Sequence, residues 1–524
     1  MKRFRHAAWV SLFLAVSIPA TDLYPITVVA KSISRDIAQD FLTAAEDAVQ
    51  HIESDSTRRD LEIEIAVLQS KLGEYARSAN TFRTLIGAAT GPAAEIQIQE
   101  IAEAQARAGQ LSAALETIEM FSSLGASQLI DRAHRRLIEA ELKYGDTKAA
   151  LTILAHVRNP AEIAYDRLLI VKAQAAGGDI VGALDGVKSF ERSGNSCARS
   201  EGLASVASAQ ARAGDLDSAE RSAVLIPTGT VCDKVAGAEA FSAIATVRAR
   251  TQGEDAFAAE IARATILANG IVANLPKAYE FHMRAVTSIA AAQGIVGHLE
   301  DAVRTTTSID DAWLRRATLI EVAARVAAAG STDAGKRLLV EIVATRGAKY
   351  HTGVDPGELL SMVDLCVSLN DFEAAVASIP FLKHSDERAR GWKAIAIGRA
   401  RAGAFDYAIA SVENIPNDGD PGRMSIKANG FGDVAALQAA AGDFVGAELT
   451  SERINGVTGQ PTGPFFVRNR LTARYVLGRT YRAIATARTK AGDLDDVWRW
   501  ARSMVDPDLK ASILIGAAEA IIAG

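Results

Sequence analysis

Large aliphatic residues recur along the chain at a fixed distance before a short turn sequence. One stands eight positions before a glycine and is followed by a small or branched apolar residue, commonly Ala, as in Val206-Ala207 before Gly214. An Ala stands five positions after the glycine, as Ala219 does. A large and a small side chain at one helical depth let two helices approach closely, and glycine accommodates a left-handed turn. Each unit is therefore predicted to be a helix, a turn and a second helix.

This unit repeats along most of the chain, at intervals of 33 to 50 residues. The clearest turns are at Gly109, Gly145, Gly178, Gly214, Gly253, Gly297, Gly403 and Gly442, and weaker ones are at Gly73, Gly330, Asn370 and Gly492. Two helices of about 35 residues in total cannot bury enough apolar surface to offset their conformational entropy, so neighbouring units must stack. The pattern predicts an all-α fold, an α-solenoid of about twelve helix-turn-helix repeats.

The repeat resembles the tetratricopeptide repeat family over roughly residues 56–524. The family has a large aliphatic residue followed by a small one, then a Gly-Asp turn and an Ala five positions on, which here read Val206-Ala207, Gly214-Asp215 and Ala219. The family often places a Tyr four residues before the glycine, where six repeats of this chain have Gln. The resemblance implies a right-handed α/α superhelix whose concave groove holds peptides.

A column of basic residues stands two positions before the turn. Its members are Lys71, Arg107, Lys143, Arg212, Arg401 and Lys490. The resemblance implies that this position faces the groove, where cations would pair with acidic side chains or a C-terminal carboxylate. The helix dipole also favours a cation in the last turn of a helix without any ligand, and this explanation is the simpler one for each residue taken singly.

The glutamines form a second polar column. They are Gln69, Gln105, Gln174, Gln210, Gln293 and Gln438. Because an amide both donates and accepts hydrogen bonds, a ladder of Gln side chains is able to bind an extended peptide backbone. Hydrogen bonds between neighbouring helices are the favoured alternative, since buried polar groups are normally paired.

Three intervals between turns are longer than the others, at residues 253–297, 330–370 and 442–492. Insertions in a solenoid map to loops on one face and often carry binding residues. The aromatic residues in them are candidate contacts for a partner, namely Tyr279, Phe281, Phe465 and Phe466. The alternatives are that these rings pack into the repeat core and that the loops are neutral length variation.

Residues 1–30 are predicted to be an export signal. Three basic residues among the first six precede an apolar run over residues 7–18, which is too short to span a bilayer by itself. Cleavage would follow Ala20 or Ala30. The alternative is an ordinary buried first helix. Residues 31–55 are then expected to form an N-terminal capping helix, and 56–524 the solenoid.

Two cysteines, Cys197 and Cys232, stand at equivalent places in neighbouring repeats, each at the start of a helical hairpin. An oxidising compartment would allow them to form a disulfide, and two separate buried thiols are the alternative. The third cysteine is Cys366. Because the chain has no CxxC pair and no Cys/His cluster, a structural zinc site is not expected.

Composition and motifs point away from nucleic-acid binding and catalysis. The net charge of −6 gives no basic excess for nucleic acid. Residues 330–337 (GSTDAGKR) and 430–435 (GFGDVA) imitate nucleotide-binding loops, but both coincide with repeat positions and follow predicted helices instead of strands. The His residues are scattered, with no HExxH or HxH pattern, and there is no GxSxG nucleophile elbow. No cofactor, metal or catalytic residue is expected.

The sequence therefore favours an exported, non-enzymatic scaffold of the bacterial periplasm that binds a protein or peptide partner in its groove, where the basic column would accept an acidic one. Two alternatives stay open. One is an enzyme or enzyme subunit with a site in the long loops, and the other is a purely architectural component of the cell envelope. After signal cleavage no stable membrane span is expected, and the oligomeric state is not indicated.

Export gives the first testable prediction. We expect the mature chain to begin after Ala20 or Ala30 and to be recovered in the periplasmic fraction, as intact mass and N-terminal sequencing would show. Leu14→Arg interrupts the apolar run and should leave the precursor unprocessed. A wild-type chain that retains Met1 and is found only in the cytoplasm would contradict the prediction.

Overall fold

A computed structural model describes residues 23–89, 94–123, 127–271, 278–344, 356–457 and 464–523. Within these ranges the regular structure consists of α-helices and two short 3-10 helices, with no β-strand. The prediction of an all-α helical repeat protein is confirmed. Contacts divide the chain into two compact units, which we call the terminal unit (described residues up to Thr117 and from Arg388) and the central unit (residues 118–387).

The terminal unit contains both ends of the described chain. Its helices are α1 Leu23–Val49, α2 Asp55–Lys71, α3 Tyr75–Ala88, α4 Ala94–Arg107 and α5 Leu111–Ser123, which crosses the unit boundary, and, further along, α20 Ser385–Arg401, α21 Phe405–Glu413, α22 Pro421–Ala440, α23 Phe444–Glu452, α24 Pro464–Lys490, α25 Leu494–Ser503 and α26 Pro507–Ala523. A 3-10 helix, Arg453–Val457, follows α23.

The central unit begins within α5 and ends within α20. Its helices are α6 Ser127–Lys143, α7 Thr147–Leu154, α8 Pro160–Ala176, α9 Ile180–Ser193, α10 Ser196–Arg212, α11 Leu216–Val224, α12 Val231–Thr251, α13 Glu254–Asn269, α14 Ala278–Ile295, α15 Leu299–Thr306, α16 Ala312–Ala328, α17 Thr332–Ala344, α18 Pro356–Ser368 and α19 Phe372–Ser378, and a 3-10 helix, Ile379–Phe381, follows α19.

The turn between the two helices of each repeat requires a left-handed backbone. Every predicted turn residue has a positive φ, for example 85° at Gly214, and Asn370 supplies the one non-glycine case among the described residues. The residue after the turn often caps the second helix. Asp146, Asp179, Asp215, Asp371 and Asp443 each accept a hydrogen bond from a backbone N–H of the following helical turn.

The first helices of neighbouring repeats pack through the predicted apolar positions. The aliphatic residue eight places before the turn is buried in each repeat where the sequence predicts it, at Ile65, Ile101, Leu137, Ile170, Val206, Ile289, Val322, Ile395, Val434 and Ile484. The Ala five places after the turn is also buried, except for Ala258, which is exposed. Helix α13 is capped by Gly253 itself, so it begins one residue earlier and buries Phe257 instead.

A disulfide joins two neighbouring first helices of the central unit. Cys197 lies in the first turn of α10 and Cys232 in the first turn of α12, with their Cα atoms 5.5 Å apart. One helical turn further on, the Ser200 hydroxyl donates a hydrogen bond of 2.6 Å to the Asp233 carboxylate. Covalent and polar contacts thus hold the same ends of α10 and α12 together.

The N-terminal region of the described chain is formed by the helix α1. The predicted signal over residues 1–30 lies outside the described residues as far as residue 22, and α1 begins at Leu23. Helix α1 packs against α26, near the C-terminal end of the described chain, as well as against α2. The described residues from 56 onwards are divided between the two units.

The disulfide gives a second prediction. Cys366 keeps its thiol and is fully buried. We expect purified exported protein to show no reactive thiol when native, one after denaturation, and three after denaturation with a reductant, as counted with a chromogenic thiol reagent. Three reactive thiols in denatured protein that was never reduced would show that Cys197 and Cys232 are not joined.

His134, in α6, is buried without a hydrogen-bond partner. Neither ring nitrogen bonds to another described residue, and the ring lies 6.1 Å from that of His156. The pKa of His134 is lowered to about 4, chiefly by burial; His156 and Arg158 add to this shift, and Glu119 and Asp131 oppose it. The folded protein therefore keeps this imidazole neutral.

This burial predicts a loss of stability in weak acid. Since the ordinary pKa is 6.5 and the folded one is about 4, the unfolded chain binds the proton more tightly between these values. The stability associated with neutral His134 is fully present above about pH 6.5 and falls by about 3 kcal/mol as the pH approaches 4. We expect His134→Leu to flatten this part of the pH dependence of the urea midpoint.

The matched control for this experiment is His384→Leu, because His384 is exposed in the same unit. Removing an exposed imidazole should leave the acid dependence of the wild type in place. Parallel loss of stability in wild type and His134→Leu would contradict the explanation.

Candidate functional site

A cavity lies between first helices of the terminal unit. Its volume is about 840 Å³, and its lining comes chiefly from α22 and α24. Part of the lining is made of small residues, which keep the two helices close without filling the space between them. They are Gly432, Ala436, Ala440, Ala483 and Ala487. Five charged residues also line it, namely Asp433, Arg479, Arg482, Lys490 and Glu519.

Helix α24 presents two cations along one face of this cavity. Arg479 and Lys490 are eleven residues apart. At 100° per residue this separation returns almost to the same side of the helix, and at 1.5 Å per residue it spans about 16 Å. Arg479 and Lys490 therefore mark the two ends of one wall of the cavity.

Ion pairs between repeats neutralise much of the charge around the cavity. Asp433 is 2.9 Å from the Lys393 ammonium on α20 and 3.8 Å from the Arg479 guanidinium. The closer partner of Asp433 is thus Lys393, outside the cavity lining. Arg479 is 55% exposed and retains donors for another anion.

A second chain of ion pairs borders the cavity on its other side. Arg482 contacts Glu519 at 3.0 Å and Glu64 at 3.2 Å, and Glu64 also contacts Arg107 at 3.2 Å. Burial acts to raise the pKa of Glu64, but Arg482 and Arg107 together outweigh it and hold the pKa below its ordinary value. Arg482 is therefore already compensated, unlike Arg479 and Lys490.

The members of the basic column differ in whether they form ion pairs. Arg107 forms the ion pair with Glu64. The other five members are exposed and form no ion pair with any described residue; they are Lys71, Lys143, Arg212, Arg401 and Lys490. Lys490 alone of these lines the cavity. Lys143 and Arg212 belong to the central unit, and the rest to the terminal unit.

The glutamine column is structural. All six Gln side chains are buried, so they are not exposed to a peptide. Gln105, Gln210 and Gln293 each accept a hydrogen bond of 2.8 Å from a Ser or Thr hydroxyl on the second helix of the same repeat. Gln174 and Gln438 donate to the Asp that caps that helix, at 3.0 Å. The favoured alternative, hydrogen bonding between helices, is confirmed for these repeats.

The aromatic residues of the long loops give no exposed anchor within the described structure. Phe281 packs against the core of the central unit. The Tyr279 hydroxyl has no hydrogen-bond partner among described residues, and burial followed by the charges of Asp311 and Asp310 raises its pKa to about 12. Phe465 and Phe466 fall in the first turn of α24, and their side chains lie outside the described residues.

The two nucleotide-like motifs occupy repeat helices. The first contains the turn Gly330 and the start of α17, and follows the helix α16. The second lies inside α22. Across the described ranges, no group of three or more His, Cys, Asp or Glu side chains is placed to hold a metal ion. In the same ranges no helix combines the length and apolarity needed to cross a bilayer.

Comparisons with known proteins add little to this description. No family model and no curated protein matches the chain. A structural comparison pairs it with a solved protein described as a "Circular tandem repeat protein with novel repeat topology and enhanced subunit contact surfaces", at 15% identity over 94% of this chain and 96% of that chain, with a TM-score of 0.13. A TM-score this low does not indicate a shared fold. The repeat architecture is therefore inferred from the helices and contacts described above.

Sequence reasoning found Lys490 but missed the other charged residues around the cavity. A signal for them exists in the repeat register. Asp433 and Glu64 stand nine residues before their turn glycines, and Lys393 and Arg482 stand ten before theirs. Charges of opposite sign at these two successive positions of different first helices indicate ion pairs between stacked repeats, although the sequence does not indicate which pairs form.

Proposed function

We propose that the protein is an exported, non-enzymatic scaffold that binds an acidic, extended segment of a partner protein in the cavity between α22 and α24. The observation that carries this proposal is the pair Arg479 and Lys490, two cations on one face of α24 at the ends of a cavity of about 840 Å³. Small residues in the lining leave room for a peptide backbone between these two cations.

The length of the wall sets the length of the segment. A span of about 16 Å corresponds to about five residues of extended chain, at about 3.3 Å per residue. Acidic side chains near the two ends of such a segment would reach Arg479 and Lys490. A terminal carboxylate would serve equally well at either end.

Charge supports an acidic occupant over a basic one. Asp433 and Glu519 line the cavity but already contact Lys393 and Arg482. Lys490 has no ion-pair partner among the described residues, and Arg479 has only a distant one. An anionic ligand would therefore gain new charge-assisted hydrogen bonds, whereas a cationic ligand would have to compete for carboxylates that are already paired.

We further propose that the fold is a tetratricopeptide-like right-handed superhelix of about twelve repeats, and that the protein works in the periplasm. The turn residues, the buried large-then-small pairs and the Asp caps support the resemblance. The basic and apolar N-terminal sequence and the pairing of Cys197 with Cys232 support export to an oxidising compartment.

The binding test uses a fluorescein-labelled acidic peptide of about five residues and a lysine-rich peptide of the same length, measured by fluorescence anisotropy with the full chain. We expect the acidic peptide to bind, and to bind more weakly as salt is raised. Arg479→Gln with Lys490→Gln should weaken binding about tenfold, which is about 1.4 kcal/mol, because two charged donors are lost.

The matched control is Lys71→Gln with Arg401→Gln. It removes the same charge from two cations that are exposed in the same unit but outside the cavity lining. Binding in this control should stay within about twofold of wild type, since neither residue lines the cavity and exposed charges are screened by salt. Equal loss of affinity in both double variants, or equal binding of the lysine-rich peptide, would overturn the proposal.

A further inference from the structure

The N-terminal helix α1 occupies the position of a second helix in the terminal unit. It packs against α26 as extensively as α13, a true second helix, packs against its first helix α12. It also contacts α2, the first helix that follows it in the chain, as second helices elsewhere contact the next repeat. The order of stacking therefore runs from α26 through α1 to α2, across the two ends of the described chain.

An apolar core joins these elements. Phe41, Leu42, Ala45, Val49 and Ile52 are buried on the α1 side, all at 2% exposure or less. They share one cluster with apolar residues of α25 and α26, which include Val497, Ala501, Leu514, Ala517 and Ala518. The Phe41 ring stacks on Trp498 with their centroids 4.2 Å apart. We call this cluster the seam.

Polar contacts fix the register of α1 at the seam. The Gln69 amide on α2 and the Arg77 guanidinium on α3 both donate to the Glu46 carboxylate on α1. Gly516 of α26 allows this helix to approach α24, because a Cβ at residue 516 would clash with the Arg482 carbonyl oxygen. Arg482 then contacts Glu519 of α26 and Glu64 of α2 at once.

We propose that α1 is a latch, a helix whose docking onto α25 and α26 holds the C-terminal helix in place and so shapes one side of the cavity. Only contacts distant in sequence hold α1 against α26, so the two helices should order and open together as one cooperative unit. Glu519 is carried on α26 and lines the cavity. Undocking α1 therefore loosens part of the cavity lining.

The test compares Phe41→Ala with Phe82→Ala in the full chain by hydrogen exchange and mass spectrometry. Both Phe side chains are completely buried in the terminal unit, but Phe82 belongs to a separate cluster formed by residues 63–108. We expect Phe41→Ala to speed exchange in residues 509–520 by about 100-fold, because the helix that covers them is released. Phe82→Ala should change exchange there by less than about threefold.

Equal acceleration of residues 509–520 in both variants, or none in Phe41→Ala, would overturn the latch. If Phe41→Ala prevents folding, Phe41→Leu provides the same test, since it removes the ring stacked on Trp498 but keeps an apolar side chain in the seam, and it should still speed exchange in α26. The readout is exchange and not ligand binding, so failure of the latch and failure of the proposed peptide site are distinguishable.

Discussion

The structure depends on the close packing of first helices in neighbouring repeats. At one depth in each of these helices a large aliphatic residue is followed by a small one, and pairs such as Val206-Ala207, Ile395-Ala396 and Ile484-Ala485 are completely buried. No repeat has enough apolar surface to fold alone, so each repeat depends on this contact with its neighbours. Buried Gln105, Gln210 and Gln293 each accept a hydrogen bond from a hydroxyl on the second helix and so join the two helices of their repeats.

Close packing also decides where charge can go. Small residues on the facing sides of α22 and α24 bring the two helices together but leave the space between them open. Charged side chains at the rim can reach across to the next repeat, as Asp433 does to Lys393 and Glu519 to Arg482. Arg479 and Lys490 are the lining cations left without a close partner. Under the proposed function, these two side chains would bind the anionic groups of a ligand.

The seam extends the same packing to the ends of the described chain. A terminal first helix would normally expose one apolar side, and repeat proteins cover such sides with capping elements. Here α1 covers α26, so residues near the two ends share one core that includes Phe41 and Trp498. The C-terminal helix of the described chain thereby shares its core with a helix that lies at the start of the described chain.

By itself the sequence determined the repeat. The aliphatic and Ala positions and the turn glycines are local features, and they recur in successive repeats. The sequence predicted the helices, the left-handed turns, the proximity of Cys197 and Cys232, and one cavity residue, Lys490. Only the tertiary structure decided that Arg107 is held by Glu64, that Arg479 faces the cavity, and that α1 packs on α26. These contacts join residues that are far apart in the chain. Many charges and apolar helix faces are similar in sequence, and which of them become partners depends on their distance in three dimensions, which the periodic pattern does not encode.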